Sequence, residues 1–306
     1  MVPSADVTEG KIMKREPESS AAENRQCNCE NDPDRRVLRT ITPLAEWPKV
    51  SDPAQPTRLV AVIDSETTGF DPDEDAIIEL AVALIEVDAT GRIIKLLRKG
   101  SGTQDPGRPI PPRVTQITGI TDADVAGRNF GREACANVLR QADVVLAHNS
   151  AFDRKFVERF IPDIEDLAWA CSLNDFDWIG AGFDGAKLGH LINQIGLFAP
   201  KAHSALADVE ALVNLLAHQL PDGETIIGKV LHKAAKPTTM IEVIKAYYSK
   251  RGEMKQRGYR WNPARSAWWV EVGQGDADDE TAWVEETMPN ARLRVSGITW
   301  HTRYQR

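Results

Sequence analysis

Asp64 and Glu66 stand two residues apart in the run Asp64-Ser65-Glu66-Thr67-Thr68-Gly69. On an extended strand that spacing places both carboxylates on one face, where like charges repel unless a cation offsets them. Two later segments carry matching chemistry: His148-Asn149-Ser150-Ala151-Phe152-Asp153, and His203 followed five residues on by Asp208. Four carboxylates and a histidine in this order suit a two-metal site that cleaves phosphodiesters. Mg²⁺ and Mn²⁺ prefer hard oxygen ligands, which Asp and Glu supply. Two such ions about 3.5–4 Å apart hold the attacking and leaving oxygens of an in-line displacement at phosphorus. A nearby His takes the proton from the attacking water at neutral pH. Thr67, Thr68 and Gly69, short or lacking a side chain, let a ligand approach the backbone closely. Each piece also has a plainer reading: a solvated strand end for Asp64 and Glu66, a dipole-favoured first-turn Asp for Asp153, a helix cap for Asn149. The combination is what speaks for chemistry.

The elements that must hold these residues are legible in outline. Residues 59–63 form a continuous, partly β-branched apolar run, as in a buried central strand, with Asp64 at its end. Gly69, Asp71 and Pro72 turn the chain. Strands are expected over 76–87, 92–97 and 144–147, the first two joined by a hairpin turn at Ala89-Thr90-Gly91. Thr121, with Asp122 and Asp124 behind it, marks a helix start. Further helices are expected over 129–142, 151–160 (capped by Asn149 or Ser150), 187–195 and 205–220. Strands alternating with helices give an α/β core.

The three acidic segments resemble the exonuclease motifs of the DnaQ-like family in its histidine (DEDDh) branch, which includes the proofreading ε subunit of bacterial DNA polymerase III. The resemblance spans residues 58–220, and residues 111–121 are similar to the family's loop before its first long helix. It implies a ribonuclease-H-like mixed sheet flanked by helices, and 3′-to-5′ release of nucleoside 5′-monophosphates with two divalent ions, Mg²⁺ or Mn²⁺. By the resemblance, Asp64, Glu66 and Asp208 hold the ion that activates water, and Asp64 and Asp153 hold the ion at the leaving 3′ oxygen. His203 is then the general base. Thr67, Thr68 and Gly69 meet the terminal nucleotide, with His148 and Asn149 as further substrate contacts. The implied substrate is a single-stranded or frayed 3′ end of DNA, with RNA trimming and a non-catalytic accessory role as alternatives. No polymerase motif is visible, so proofreading would need a partner polymerase. Ser204-Ala205-Leu206-Ala207 is small and neutral where relatives often carry Arg or Asn. Gln194-Ile195-Gly196-Leu197-Phe198 is similar to a sliding-clamp peptide, but it reads better as the end of a core helix, and clamp binding is not expected.

Beyond a connector at 221–238, strand and helix signals over 239–306 follow the order β-α-β-β-α-β of a small ferredoxin-like α+β domain. Residues 245–265 hold seven Lys/Arg against one Glu, whereas 57–220 hold 15 Lys/Arg against 24 Asp/Glu. An acidic metal-binding half thus precedes a basic segment. In the latter, Arg257-Gly258-Tyr259-Arg260-Trp261, Arg265, Trp268 and Trp269 set aromatics beside arginines, as nucleic-acid contacts require. Alternation puts Trp268 and Trp269 on opposite faces, so at most one belongs to a core.

The net charge of −8 over 306 residues speaks against nonspecific capture of nucleic acid by the chain as a whole. Residues 1–56, polar, charged and proline-bearing, read as a disordered extension, with Met13 as an alternative start. Four cysteines are too few for a disulfide framework; Cys27-Asn28-Cys29 lacks the second pair of a metal knuckle, and Cys171 reads as a small core residue. Neither a signal-peptide core nor a membrane-length apolar run is present, so the expected location is the cytoplasm.

Overall fold

In a computed structural model of the chain, residues 36–161, 163–201 and 203–305 are described. The elements below belong to the unit Leu38–Arg306. In chain order they are strand β1 (Arg39–Thr40), β2 (Arg58–Thr67), β3 (Ile77–Val87) and β4 (Ile93–Thr103). Helices α1 (Pro112–Thr118), α2 (Asp122–Val125) and α3 (Arg132–Leu139) follow, then β5 (Val144–Ala147), α4 (Ser150–Phe160) and β6 (Trp169–Cys171). Next come α5 (Leu188–Gln194), β7 (Leu197–Phe198), α6 (Ala205–Leu216) and α7 (Ile226–Ala234). The last elements are β8 (Thr238–Ile244), α8 (Arg251–Gln256), β9 (Arg260–Asn262), β10 (Ala267–Gly273), α9 (Ala277–Thr287) and β11 (Arg292–Ile298).

The main sheet has the order β4-β3-β2-β5-β6. Its first three strands are antiparallel neighbours, and β5 and β6 run parallel to β2. A sheet buried on both faces needs apolar side chains at successive positions, and β2 meets that need. Val60 and Val62 point into a core shared with α5, α6 and α7, while Ala61 and Ile63 point into a second core shared with α3 and α4. This is the ribonuclease-H-like mixed sheet with flanking helices that the resemblance implies.

The second sheet has the order β11-β8-β10-β9 with every neighbour antiparallel. Numbered within this segment the order is 4-1-3-2, that of a ferredoxin-like fold. Ile241, Val243, Trp268 and Val270 face α8 and α9 over a core that includes Met254, Val284 and Met288.

Several expectations are corrected. Residues 39–56 are ordered, not part of a disordered extension. Ile41 and Leu44 are buried in the α6-side core, and Thr42 exchanges two 2.9 Å hydrogen bonds with the side chain of buried Asn214. Two apolar anchors and one buried amide outweigh a polar composition. Residues 1–35, with Cys27 and Cys29, lie outside the described residues. The connector, read as helical or irregular, contains α7, and beyond that reading its Ile226, Ile227, Val230 and Ala234 are core residues. The C-terminal tail does not stay with the small sheet: Trp300 packs on the α6-side core and its carbonyl accepts from Trp169 N–H at 2.8 Å. β6 was not anticipated, because three residues are too few to show a period. Residues 112–118, expected as loop, form α1 between Pro111-Pro112 and a left-handed Gly119. Leu197 and Phe198 pair with β1 after Gly196 turns at φ 82°, in keeping with the helix-end reading of that segment. No helix among the described residues is long and apolar enough to cross a membrane.

Candidate active site

β2 delivers the first two carboxylates. Asp64 and Glu66 share the face that meets α6, and the ladder to β3 is irregular between Glu66 and Thr67, which ends regular pairing as the chain enters the turn. α6 delivers Asp208 in its first turn. One carboxylate oxygen from each of Asp64, Glu66 and Asp208 lies within 4.8 Å of the other two, and all three residues are partly exposed. Three hard oxygen donors at that separation fit one divalent cation.

The electrostatics reflect the crowding. Burial holds the Asp64 carboxyl well above its usual range, with Asp153, Asp208, Glu66 and Glu79 adding to the effect. Glu66 is pushed up to about 7 by burial and then by Asp208, Glu79 and Asp153. Asp208 is raised by burial, opposed by His203 through its charge and a backbone hydrogen bond. Such a cluster holds its protons more tightly than isolated carboxylates do, and a bound cation would offset the crowding.

Asp153 arrives from the other side of the sheet, in the first turn of α4. It is buried, accepts a 2.7 Å hydrogen bond from Ser65 Oγ, and is pushed up to about 7 by burial. Asp153 acts electrostatically on both Asp64 and Glu66. Three of the four expected carboxylates thus converge within 4.8 Å, while Asp153 on α4 lies outside that group and acts on two of its members through its charge.

His203 is exposed, at the entry to α6, with φ 62°. A non-glycine residue in the left-handed region is uncommon and marks strain that tertiary structure must hold. Glu79, absent from the sequence-based set, faces Glu66 across the ladder and accepts from Ala205 N–H at 3.0 Å. It thus satisfies a free N–H at the start of α6 and fixes the turn carrying His203 and Asp208. A lone acid inside the apolar run Ile77-Ile78-Glu79-Leu80 was its signal in the sequence.

The remaining expected residues take other parts. Thr67 Oγ1 donates to Gly69 O at 2.5 Å. Thr68 Oγ1 donates to Asp75 Oδ1 and accepts from Ala76 N–H and Arg108 Nη2. A Cβ on Gly69 would run into the Asp75 carboxylate. These residues build the loop, and both threonine hydroxyls are engaged inside it. His148 is likewise engaged. Its Nε2 donates to Ala186 O at 2.7 Å and its Nδ1 meets Ser172 Oγ at 2.8 Å; burial lowers its pKa, so the ring is neutral and structural. Asn149 starts α4 at φ 104° without a side-chain cap bond and is exposed beside the site. Phe70, 90% exposed, follows the loop and meets Phe152 edge-on at 6.2 Å; nothing in the sequence separated it from an ordinary turn residue.

A cavity of about 1090 Å³ lies away from the carboxylates, between the hairpin at Thr90-Gly91 and residues 220–233. Its Lys229 is already paired with Asp222 at 2.5 Å. It lacks the convergent acidic groups of the α6 site.

Comparison with known proteins shows the family of this half of the chain. Residues 61–216 match the RNase T family model, described as exonuclease, and the chain belongs to that exonuclease family. The "DNA polymerase III subunit epsilon-like protein" of Rhodobacter capsulatus is 31% identical over 57% of this chain and 26% of its own length. "Ribonuclease T" of Shewanella denitrificans is 28% identical over 51% of this chain and 78% of its own length. Among solved structures, exonuclease X in complex with 5′-overhanging duplex DNA is 22% identical, with a TM-score of 0.41, covering 57% of this chain and 92% of that one. The chain thus spans about a quarter of the length of the Rhodobacter relative.

Proposed function

We propose that this chain removes nucleotides from the 3′ end of DNA by hydrolysis, using two divalent ions, Mg²⁺ or Mn²⁺. The observation that carries the reading is the convergence of Asp64, Glu66 and Asp208 within 4.8 Å, in a family of exonucleases. Bound cations would supply Lewis acidity at phosphorus and a nucleophilic water near neutral pH. Asp64, Glu66 and Asp208 hold one ion, and Asp64 with Asp153 holds the other. His203, exposed at the mouth and beside Asp208, accepts the proton of the attacking water. Phe70 offers an open ring on which an unpaired terminal base can stack. The ε-like relative supports DNA as substrate and a polymerase as partner. The relative named ribonuclease T supports a second reading, RNA trimming by the same site.

The test is cleavage of 5′-labelled single-stranded DNA and RNA with Mg²⁺ or Mn²⁺, with EDTA and Asp64→Ala as controls. A metal-dependent ladder shortening from the 3′ end is expected, and comparing the two ladders ranks the substrates. Folded protein that binds metal and cleaves neither strand would discard the reading.

A further inference from the structure

The four strands of the small sheet align one residue each into a single row: Arg294 on β11 opposite Glu242 on β8, Glu242 opposite Trp269 on β10, and Trp269 opposite Arg260 on β9. Directly paired residues share a face. This face is the one turned away from α8 and α9, since the alternate residues Val243 and Trp268 lie in the helix-side core. At the usual strand spacing the row is about 14 Å long.

Its centre is a buried carboxylate. Glu242 is 2% exposed, and its two oxygens take Arg265 Nη1 at 2.5 Å and Arg294 Nη1 at 3.4 Å. Both arginine side chains nevertheless remain open, at 41% and 54% exposure. A guanidinium has five donors in a rigid fork, so one bond to Glu242 leaves most of each fork facing solvent and already oriented. Arg260 is exposed, with its guanidinium 5.6 Å from the ring centre of the half-buried Trp269. Other members of the basic, aromatic segment are internal: Arg257 pairs with Glu280 at 2.6 Å and covers Trp283, and Tyr259 is buried.

We propose that this open face is a docking surface for single-stranded DNA, holding the strand upstream of the 3′ end that enters the nuclease site. Charge complementarity names the occupant. Three oriented guanidiniums meet phosphates, and a Trp flanked by Arg meets an unpaired base; a duplex keeps its base faces stacked and offers only the first contact. Residues 57–220 hold 15 Lys/Arg against 24 Asp/Glu, a balance that repels phosphates away from the metals and gives a separate cationic face a use on a long strand. The choice of occupant rests on the nuclease reading, but the face can be tested apart from it.

The test measures anisotropy of a 5′-fluorescein 30-nucleotide single strand with the full chain in EDTA, where no cleavage occurs, across a salt series. The variants are Arg260→Gln/Arg294→Gln, which alters only exposed positions, and Trp269→Ala. We expect affinity to fall about tenfold in each, and the salt dependence of log K to flatten by about 1.4 in the arginine variant. In Mg²⁺, the preference for the 30-mer over a trinucleotide, read as kcat/KM, should fall with it. Unchanged 30-mer affinity and salt slope in the arginine variant would overturn the proposal, as would tighter binding of a 30-base-pair duplex than of the single strand. An RNA 30-mer that loses affinity in step would support contacts to backbone and base faces. Arginine-dependent binding by a chain that cleaves nothing would support the face while defeating the nuclease reading.

Discussion

The guanidinium of Arg154 donates to the carbonyl of Arg303 at 2.6 Å, joining residues 149 positions apart. Arg154 is fully buried, and it immediately follows Asp153 on α4. It also donates to His301 O at 2.7 Å, Glu165 O at 3.1 Å and the Glu158 carboxylate at 2.6 Å. Residues 301 and 303 therefore brace the helix that carries Asp153.

Removal of residues 299–306 should leave that buried cation without two of its carbonyl acceptors. Breaking a buried ionic or charge-assisted contact costs on the order of 3 kcal/mol. Thermal unfolding of the truncated chain should begin several degrees below that of the full chain, with nuclease activity falling as α4 loosens. An unchanged Tm would show the tail to be dispensable.

Asp64→Asn should abolish cleavage and raise the stability of the metal-free protein, because a carboxyl crowded by four other acids and held above its usual pKa is replaced by a neutral amide. The same variant should lose the gain in Tm that Mg²⁺ gives the wild type. The readout is a pair of melting curves in EDTA and in Mg²⁺. A variant less stable than wild type in EDTA would mean that Asp64 is held by contacts that outweigh repulsion.

Glu66 and Asp153 are both pushed up to about 7, above the carboxylate values of roughly 4 in an unfolded chain. The folded metal-free state thus binds protons more tightly than the unfolded one, so these groups stabilise it at acid pH. That stability is lost as pH rises from roughly 4 through 7. Metal binding must displace the same protons, so Mg²⁺ stabilisation should grow over the interval from pH 6 to 8. Melting temperatures at pH 5.5, 7 and 8.5 with and without Mg²⁺ decide this; a Mg²⁺ effect independent of pH would contradict it.

His203 can be separated into imidazole and backbone. Its φ of 62° suits glycine, so His203→Gly keeps the turn while removing the ring. Loss of a general base lowers the rate by about 10²–10⁴, and Mg²⁺ stabilisation should persist because the carboxylates are untouched. Wild-type turnover by His203→Gly would remove the imidazole from the mechanism.

Much of this was readable from residue types. The continuous apolar run before Asp64 announced a strand with a core on each face, and the separation of His203 from Asp208 placed both at a helix entry. What escaped was set by partners distant in sequence. The small side chains of Thr67 and Thr68 were legible, but not the partners of their hydroxyls, Gly69 O and Asp75. His148 looked like a substrate contact until Ser172 and Ala186 occupied both nitrogens. Glu79 carries no motif, and its part depends on α6 arriving 126 residues later. The order of residues 39–56 rests on Asn214, which lies in a helix whose pattern says nothing about what crosses it.

β6 forms an edge of the main sheet, and an exposed edge invites pairing with other chains. Here the Trp169 N–H is met by the carbonyl of Trp300, a residue that leaves the ribosome long after β6 does. Until then the nascent sheet has an unguarded margin, and the α4 helix lacks its brace. Synthesis order therefore imposes a delay: the strands that shape the acidic centre can form before residues 300–303 emerge to close this edge and brace α4.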